Sequence, residues 1–396
     1  MANIIPDPRP LENRLHRISH RFISIDDEIN TAFRHHFSNV SQLMITQLKS
    51  KDTLFQKIFQ VLQMAGSYAD GIKVNAPNEF DLLVLLKFPK PIPVNSTTPG
   101  YVTINIRDGL NTWLGWLAGD QEKYKRFIDG EGYLIQNQIL DWLRKLVRGI
   151  LAEHKYLFKI HGAEYSINQQ NCGPAVTLDV YVQKCPSGYI GHFSIDFVPA
   201  LQFDSNDRWV ADKRPNIQVP RFWNAIPKPN KQVLHKNRDW ICSYAEIERD
   251  YLNDLNRIKP LIRIFKKIRD KAHLTNLKSY YIKTIFLHRI LEKSYDYWNR
   301  SLAVLFMEMF DVILNHLKTR TLWSLWHRNY NLFSQLHAHQ IDAIYYNLKK
   351  IRDTITKNLV NNNPDIIYRE ILTREEMIDL EQREEEENQP SWCTIL

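Results

Sequence analysis

The stretch Glu79-Phe-Asp-Leu-Leu-Val-Leu-Leu-Lys-Phe88 sets the tightest limit on what this chain can become. An apolar run this dense predicts a buried strand, yet two carboxylates stand at its start. Residues i and i+2 of a strand share a face, so Glu79 and Asp81 point the same way while Phe80 points into the core. Two acids held like that repel each other unless a cation lies between them.

The flanking pattern frames this strand. Ser24-Ile-Asp-Asp-Glu28 is a helix-start signature, and Ile25, Ile29, Phe33, Phe37 and Val40 follow at helical spacing with no proline before Pro77. One long helix from about Ser24 to Met64, ended by Gly66, is the expectation. Prolines and Ser96 to Gly100 predict a turn before a second strand, Tyr101 to Ile106. Helical spacing returns from about Gly132 to Glu153. Ala175 to Val182 and Tyr189 to Leu201 then read as a hairpin closed by Pro186-Ser187-Gly188. From Tyr244 onward the chain is helical and rich in Lys, Arg, Leu and aromatics. The expected class is α+β and bilobal: a mixed-sheet lobe with a long N-terminal spine helix, then a C-terminal helical lobe, with a cleft between them. The expected limits are residues 1–212, 213–380 and an acidic tail, 381–396, with the crossover in the proline-rich segment Pro215 to Pro229.

A chain of 396 residues, 44% hydrophobic, can bury a large core. Its 52 Lys+Arg against 44 Asp+Glu give +8 even though Arg383 to Glu387 reads REEEE, so the body is more basic than the total and suits a polyanionic partner. Cys172, Cys185, Cys242 and Cys393 form no CxxC pair and no zinc or disulfide framework, which fits a reducing cytosol and no structural zinc. No stretch approaches ~18 consecutive apolar residues and the N-terminus lacks the core of a signal peptide, so a cytoplasmic protein is expected.

In the segment His192 to Val198, Phe193, Ile195 and Phe197 alternate with Ser194 and Asp196, which sets Asp196 on the polar face of a buried strand. With Glu79 and Asp81 it would complete a site for two hard cations, since magnesium prefers carboxylate oxygens and substrate phosphates. An isolated E-x-D is ordinarily a solvent-facing pair. Here Gly66-Ser67 lies upstream, a backbone turn and hydroxyl suited to phosphate. Helix, Gly-Ser, loop, E-x-D strand and a later strand Asp make up the pattern of the nucleotidyltransferase superfamily.

The segments GSYADGIKVNAPNEFDLLVLLKFP (66–89), CGPAVTLDV, SIDFVPAL, WICSYAEIERDYL, SYYIKTIFLH and NLFSQL, in that order, resemble cyclic GMP-AMP synthase and its relatives, the insect-type cGAS-like receptors of the Mab-21 family, over roughly Gly66 to Leu336. The resemblance implies that Glu79, Asp81 and Asp196 bind two Mg²⁺ or Mn²⁺ ions, with Asp196 nearest the attacking ribose hydroxyl. It implies that Ser67 holds donor phosphate and that Lys266, or its neighbour Lys267, reaches the triphosphate together with Ser279. Tyr280 matches the position whose ring stacks on the donor base, and Ser243 one that hydrogen-bonds a base. Core packing for Tyr280 and helix capping for Ser243 are the ordinary alternatives.

Two departures stand out. Ile241 occupies the place of a base-contacting arginine, for which Arg238 is a spatial substitute to consider. The His/Cys zinc insertion that grips DNA in cyclic GMP-AMP synthase is missing from Tyr251 to Phe265, and the His16/His20 and His337/His339 pairs read as surface or packing residues. Without the zinc module, the expected activator is double-stranded RNA, read by shape and backbone. Candidate contacts are Lys49, Lys51, Lys57, Lys73, Lys228 and Lys231, with Arg14, Arg17, Arg21, Lys236 and Arg238 further basic positions. The loop from Ser67 to Asn78, with Gly71 and Pro77, is expected to be flexible and to lock when a polyanion binds the long helix. Cys393 opens a C-terminal C-a-a-X box, implying a geranylgeranyl group and weak membrane attachment. The expected function is an innate-immune enzyme joining ATP and GTP into a cyclic dinucleotide. A Mab-21-like binding module with an idle pocket, and a linear oligonucleotide synthase, are the rivals.

Overall fold

A computed structural model describes residues 7–88, 93–107, 125–171, 173–186, 191–206, 209–212, 217–230, 237–253 and 255–388. The chain divides into two compact units. One takes in residues 25–251 and 325–330; the other takes in the segment up to Ser24, 252–324 and 331–396.

The first unit is built on a ten-stranded mixed sheet: β1 (Phe59–Ala65), β2 (Glu79–Leu86), β3 (Val94–Ser96), β4 (Tyr101–Ile104), β5 (Leu157–Ile160), β6 (Ala163–Gln170), β7 (Val176–Lys184), β8 (Gly191–Asp204), β9 (Phe222–Ile226) and β10 (Asp239–Ser243). The strand order is β3-β4-β10-β9-β8-β7-β6-β5, and β2 joins β8 while also carrying β1. The β2–β8 pair is parallel and the other strand pairs are antiparallel. The expected strand at 79–88 and the expected pairing of 175–182 with 189–201 are both present; the turn at 187–190 lies outside the described residues.

One face of this sheet is covered by the helix Asp27–Lys51, which buries Phe33, His36, Val40, Met44 and Leu48. Phe37 stacks on Phe80 with ring centroids 4.4 Å apart, and Phe33 meets Phe193 edge-on at 6.0 Å. Those contacts fix which face of β2 and β8 is core. The helix Gln136–Glu153, close to the stretch expected at 132–153, buries Ile139, Leu143, Val147 and Ile150.

The long helix does not reach Met64. It starts on an Asp26 cap, whose carboxylate accepts from the Glu28 and Ile29 amides, and it ends at Lys51. Asp52 breaks it: its backbone is extended (φ −136°), and its carboxylate caps a second helix, Thr53–Ile58, by accepting from the Phe55 amide at 2.8 Å. Residues 59–65 are then strand β1, paired antiparallel with β2 so that Ala65 lies opposite Asp81. Sheet pairing outcompetes helical spacing over this stretch.

The second unit is helical, with Arg9–Ile18, Ile258–Lys271, Ser279–Glu292, Leu302–Thr319, Ala338–Val360, Ile366–Ile371 and Arg374–Asn388 as its main helices. Phe265, Phe306 and Phe310 form its aromatic centre, with Phe265 stacked on Phe306 at 5.2 Å and edge-on to Phe310 at 5.3 Å. Leu11, Leu15 and Ile18 are fully buried within it. The boundary expected at residue 213 falls inside the sheet unit, which runs on through β9 and β10. Of the prolines there, Pro220, Pro227 and Pro229 punctuate connections between strands rather than between lobes, and Pro215 lies outside the described residues. Among the described residues, no helix is long and apolar enough to cross a membrane.

Candidate functional site

Glu79 and Asp81 stand on the open face of β2, with Phe80 fully buried behind them. Parallel pairing puts Asp81 directly beside Asp196, and Glu79 beside Ser194. Three carboxylates from two strands far apart in the chain therefore share one sheet face. Burial, then the charges of Glu79 and Asp196, push the Asp81 carboxyl up to about 6, partly offset by Lys73. Burial also raises the Asp196 carboxyl, opposed by a hydroxyl from Thr177, which donates to Oδ1 at 2.5 Å.

Gly66 follows β1 at φ +70°, and a Cβ there would lie 1.7 Å from Asp81 Oδ2. Only a glycine leaves room for that carboxylate. Ser67, its neighbour, is the second residue of the single turn Gly66–Ala69 and is half-buried. Arg249 braces the same corner, its Nη2 donating to the Met64 carbonyl at 2.6 Å and its Nε lying 3.5 Å from Asp70.

The connection from Ser67 to Asn78 is packed rather than loose. Ile72, Val74 and Pro77 are buried, and Gly71 and Asn75 supply the two left-handed backbone positions that turn it. Lys73, expected among the nucleic-acid contacts, is turned inward instead. Its Nζ lies 2.6 Å from Glu79 Oε2 and its side chain is only 13% exposed. A half-buried ammonium is drawn to the densest negative charge nearby, which here is the carboxylate row.

The other expected residues are distributed as follows. Lys49, Lys51 and Lys57 are exposed at the end of the helix Asp27–Lys51 and on the helix after it; Lys49 sits over the Phe59 ring at 4.7 Å and Lys51 pairs with Glu153 at 2.5 Å. Lys228 is exposed beyond β9, whereas Lys231, Lys236 and Cys393 lie outside the described residues. Ser243 ends β10, opposite Asn224. Arg238 is held by Asp129 at 2.6 Å and Glu131 at 2.9 Å and lies over the Tyr133 ring, so it is committed elsewhere than to the place of the missing arginine.

In the helical unit, Lys266 and Lys267 are both buried, and Lys267 is paired with Glu376. Ser279 is the first residue of its helix and accepts from Arg269, while Tyr280 beside it is 43% exposed.

The donor set formed by Glu79, Asp81 and Asp196 is all oxygen and carries surplus negative charge, which suits a hard divalent cation. The three groups do not converge as they stand: among the described residues no three His, Cys, Asp or Glu side chains are arranged to hold an ion, and Glu79 is taken up by Lys73. Thr177 and Arg249 were not singled out from sequence, and Lys73 was singled out only as a nucleic-acid contact. For Thr177 a signal existed, since Val176, Leu178 and Val180 alternate with Thr177 and Asp179, placing both polar residues on the Asp196 face.

Residues 68–254 match the Mab-21 protein nucleotidyltransferase domain and residues 257–350 the Mab-21 protein HhH/H2TH-like domain. The chain is 31% identical to a cyclic GMP-AMP synthase-like receptor of Aethina tumida, over 92% of this chain and 92% of that protein. It is 30% identical to one of Ctenocephalides felis, over 95% of this chain and 90% of the relative. It is 27% identical to cyclic GMP-AMP synthase-like receptor 1 of Drosophila melanogaster, over 89% of this chain and 94% of the relative. A sheet unit carrying paired strand carboxylates, a helical unit after it and these two domain matches make the chain a member of the Mab-21 family and a nucleotidyltransferase of its cGAS-like branch.

Proposed function

We propose that this nucleotidyltransferase joins ATP and GTP into a cyclic dinucleotide of the cyclic GMP-AMP type when double-stranded RNA binds it, as an innate-immune second-messenger enzyme. The observation that carries the reading is the register of Asp81 beside Asp196, with Glu79 on the same face. The names of its relatives supply the product class.

In this reading Glu79, Asp81 and Asp196 hold two Mg²⁺ or Mn²⁺ ions. Bound ions of that kind neutralise triphosphate charge and acidify the acceptor ribose hydroxyl. The chain's own residues do the rest. Gly66 gives the Asp81 carboxylate its space and Ser67 offers a hydroxyl and backbone turn to the donor phosphates. Lys266 and Ser279 contact the triphosphate, Tyr280 presents an exposed ring to the donor base, and Ser243 hydrogen-bonds a base. Lys73 neutralises Glu79 until a stronger cation replaces it.

RNA is supported as activator by the basic body and by the exposed Lys49, Lys51 and Lys57 on the unit that carries the carboxylates, with Lys228 and Lys231 as further contacts. Duplex RNA is bound through its backbone, so such a surface needs no sequence-reading motif. Prenylation of Cys393 belongs to the same proposal as a weak membrane tether.

The test is incubation with labelled ATP and GTP, Mg²⁺ or Mn²⁺, and double-stranded RNA, double-stranded DNA or neither, followed by phosphatase and chromatography. The expected result is a phosphatase-resistant product with RNA alone, reduced more than about 100-fold in the Glu79→Ala/Asp81→Ala variant. A phosphatase-sensitive product indicates a linear synthase. No product under any condition overturns the cyclase and favours the binding module.

A further inference from the structure

The carboxylate row is bordered by a residue to which no role has been given. Thr177 lies on β7 directly opposite Asp196, and its hydroxyl donates to Asp196 Oδ1 at 2.5 Å. The threonine is buried, 7% exposed, and its bond to the half-buried Asp196 is part-buried. On the other side of Asp196 stands Asp81, in register from β2. Asp196 is thus held between a hydroxyl donor and a second carboxylate that repels it.

A threonine on a strand has few accessible χ1 rotamers, so its oxygen is delivered to a fixed point. One donor satisfies one carboxylate oxygen, which leaves the other free to meet a ligand in a defined direction. Asp179, two residues further along the same face, cannot take over this task. It is acidic, it accepts from Gln170, and its Oδ1 lies 3.6 Å from His192 Nε2.

We propose that Thr177 is a positioning residue for the nucleotidyl-transfer site, fixing the rotation of the Asp196 carboxylate so that one oxygen faces a divalent cation. This rests on the proposed role of the carboxylate row. Groups that orient metal ligands from behind typically change ion affinity by ~10–100-fold when removed. Valine matches threonine in shape without the donor, and serine keeps the donor without the methyl.

The experiment measures Mn²⁺ binding by the full chain from the electron paramagnetic resonance signal of free Mn²⁺, with non-hydrolysable α,β-methylene ATP present. Wild type is compared with Thr177→Val, Thr177→Ser and Asp196→Asn, and each thermal midpoint is recorded. The expected result is about tenfold weaker Mn²⁺ binding in Thr177→Val. Thr177→Ser is expected to stay within about twofold of wild type, and activity in Thr177→Val to recover at raised Mn²⁺ with kcat nearly unchanged. Should Thr177→Val fail to fold, Thr177→Ala carries the same comparison. Wild-type affinity in Thr177→Val together with weakened binding in Asp196→Asn overturns the role of Thr177 and leaves the carboxylate site standing. Wild-type affinity in Asp196→Asn, or no Mn²⁺ site in the wild type, overturns the carboxylate site itself.

Discussion

A methyl group on Gly66 would overlap the Asp81 carboxylate, and the backbone there is in the left-handed region that side chains resist. Gly66→Ala is therefore expected to cost about 1–3 kcal/mol of stability and to lower turnover by more than about 100-fold, read by thermal denaturation and by product assay. Asp81 itself is a residue whose charge works against folding. Its carboxyl is pushed from 3.8 up to about 6, so between those values the native state holds a proton that the unfolded chain releases. Stability from this group is present at low pH and is lost as pH rises through about 6. In EDTA, Asp81→Asn is expected to melt several degrees above wild type at neutral pH, the two midpoints converging towards pH 4. A gap that stays constant across that range would contradict the raised carboxyl. The alternation of residues 79–81 and 193–197 made these carboxylates legible in the sequence, because strand period alone dictates which side chains share a face. The pairing of Lys73 with Glu79 was not legible. Its partner depends on how the loop Asp70 to Asn78 packs Ile72 and Val74, which no local pattern encodes.

At the scale of elements, the helix Asp27–Lys51 and the strand β1 show where periodicity misleads. Phe33 to Val40 are spaced for a helix and lie on one, but Phe59 to Ala65 continue a pattern that either element tolerates. The long helix itself is ended at Asp52, whose carboxylate caps the next helix and also accepts from Trp142 Nε1 at 3.3 Å. Asp52→Ala removes both bonds and is expected to destabilise the sheet unit by about 1–2 kcal/mol, measured by denaturant titration. Asp52→Asn, which can still accept at the cap, is expected to lose less. β1 was missed because its residues are mostly half-exposed, so it carries no clean alternation of apolar and polar side chains. Its strand state comes from a ladder with β2, an interaction between segments rather than a property of either.

For the whole molecule, the sequence determined the class of protein. Alternation on β2 and β8, helical spacing after Tyr244 and the ordered motifs from Gly66 to Leu336 gave an α+β chain with a carboxylate site and a helical partner unit. These features are local, and local sterics and hydrophobic period are enough to read them. The tertiary structure decided the grouping. The segment Arg9–Ile18 belongs with helices more than two hundred residues away, through Glu12, which accepts from the Leu302 amide at 3.1 Å and pairs with Arg257 at 3.2 Å. Residues 325–330 return to the sheet unit, where Trp326 stacks on Tyr244 at 4.5 Å and donates to Glu248 at 2.9 Å. It also decided that Asp81 meets Asp196, that Thr177 holds the latter, and that Lys73 serves the carboxylates rather than the surface. Each of these is a pairing of residues far apart in the chain, fixed by strand register and burial, and such pairings acquire their energy only once the fold has brought the partners together.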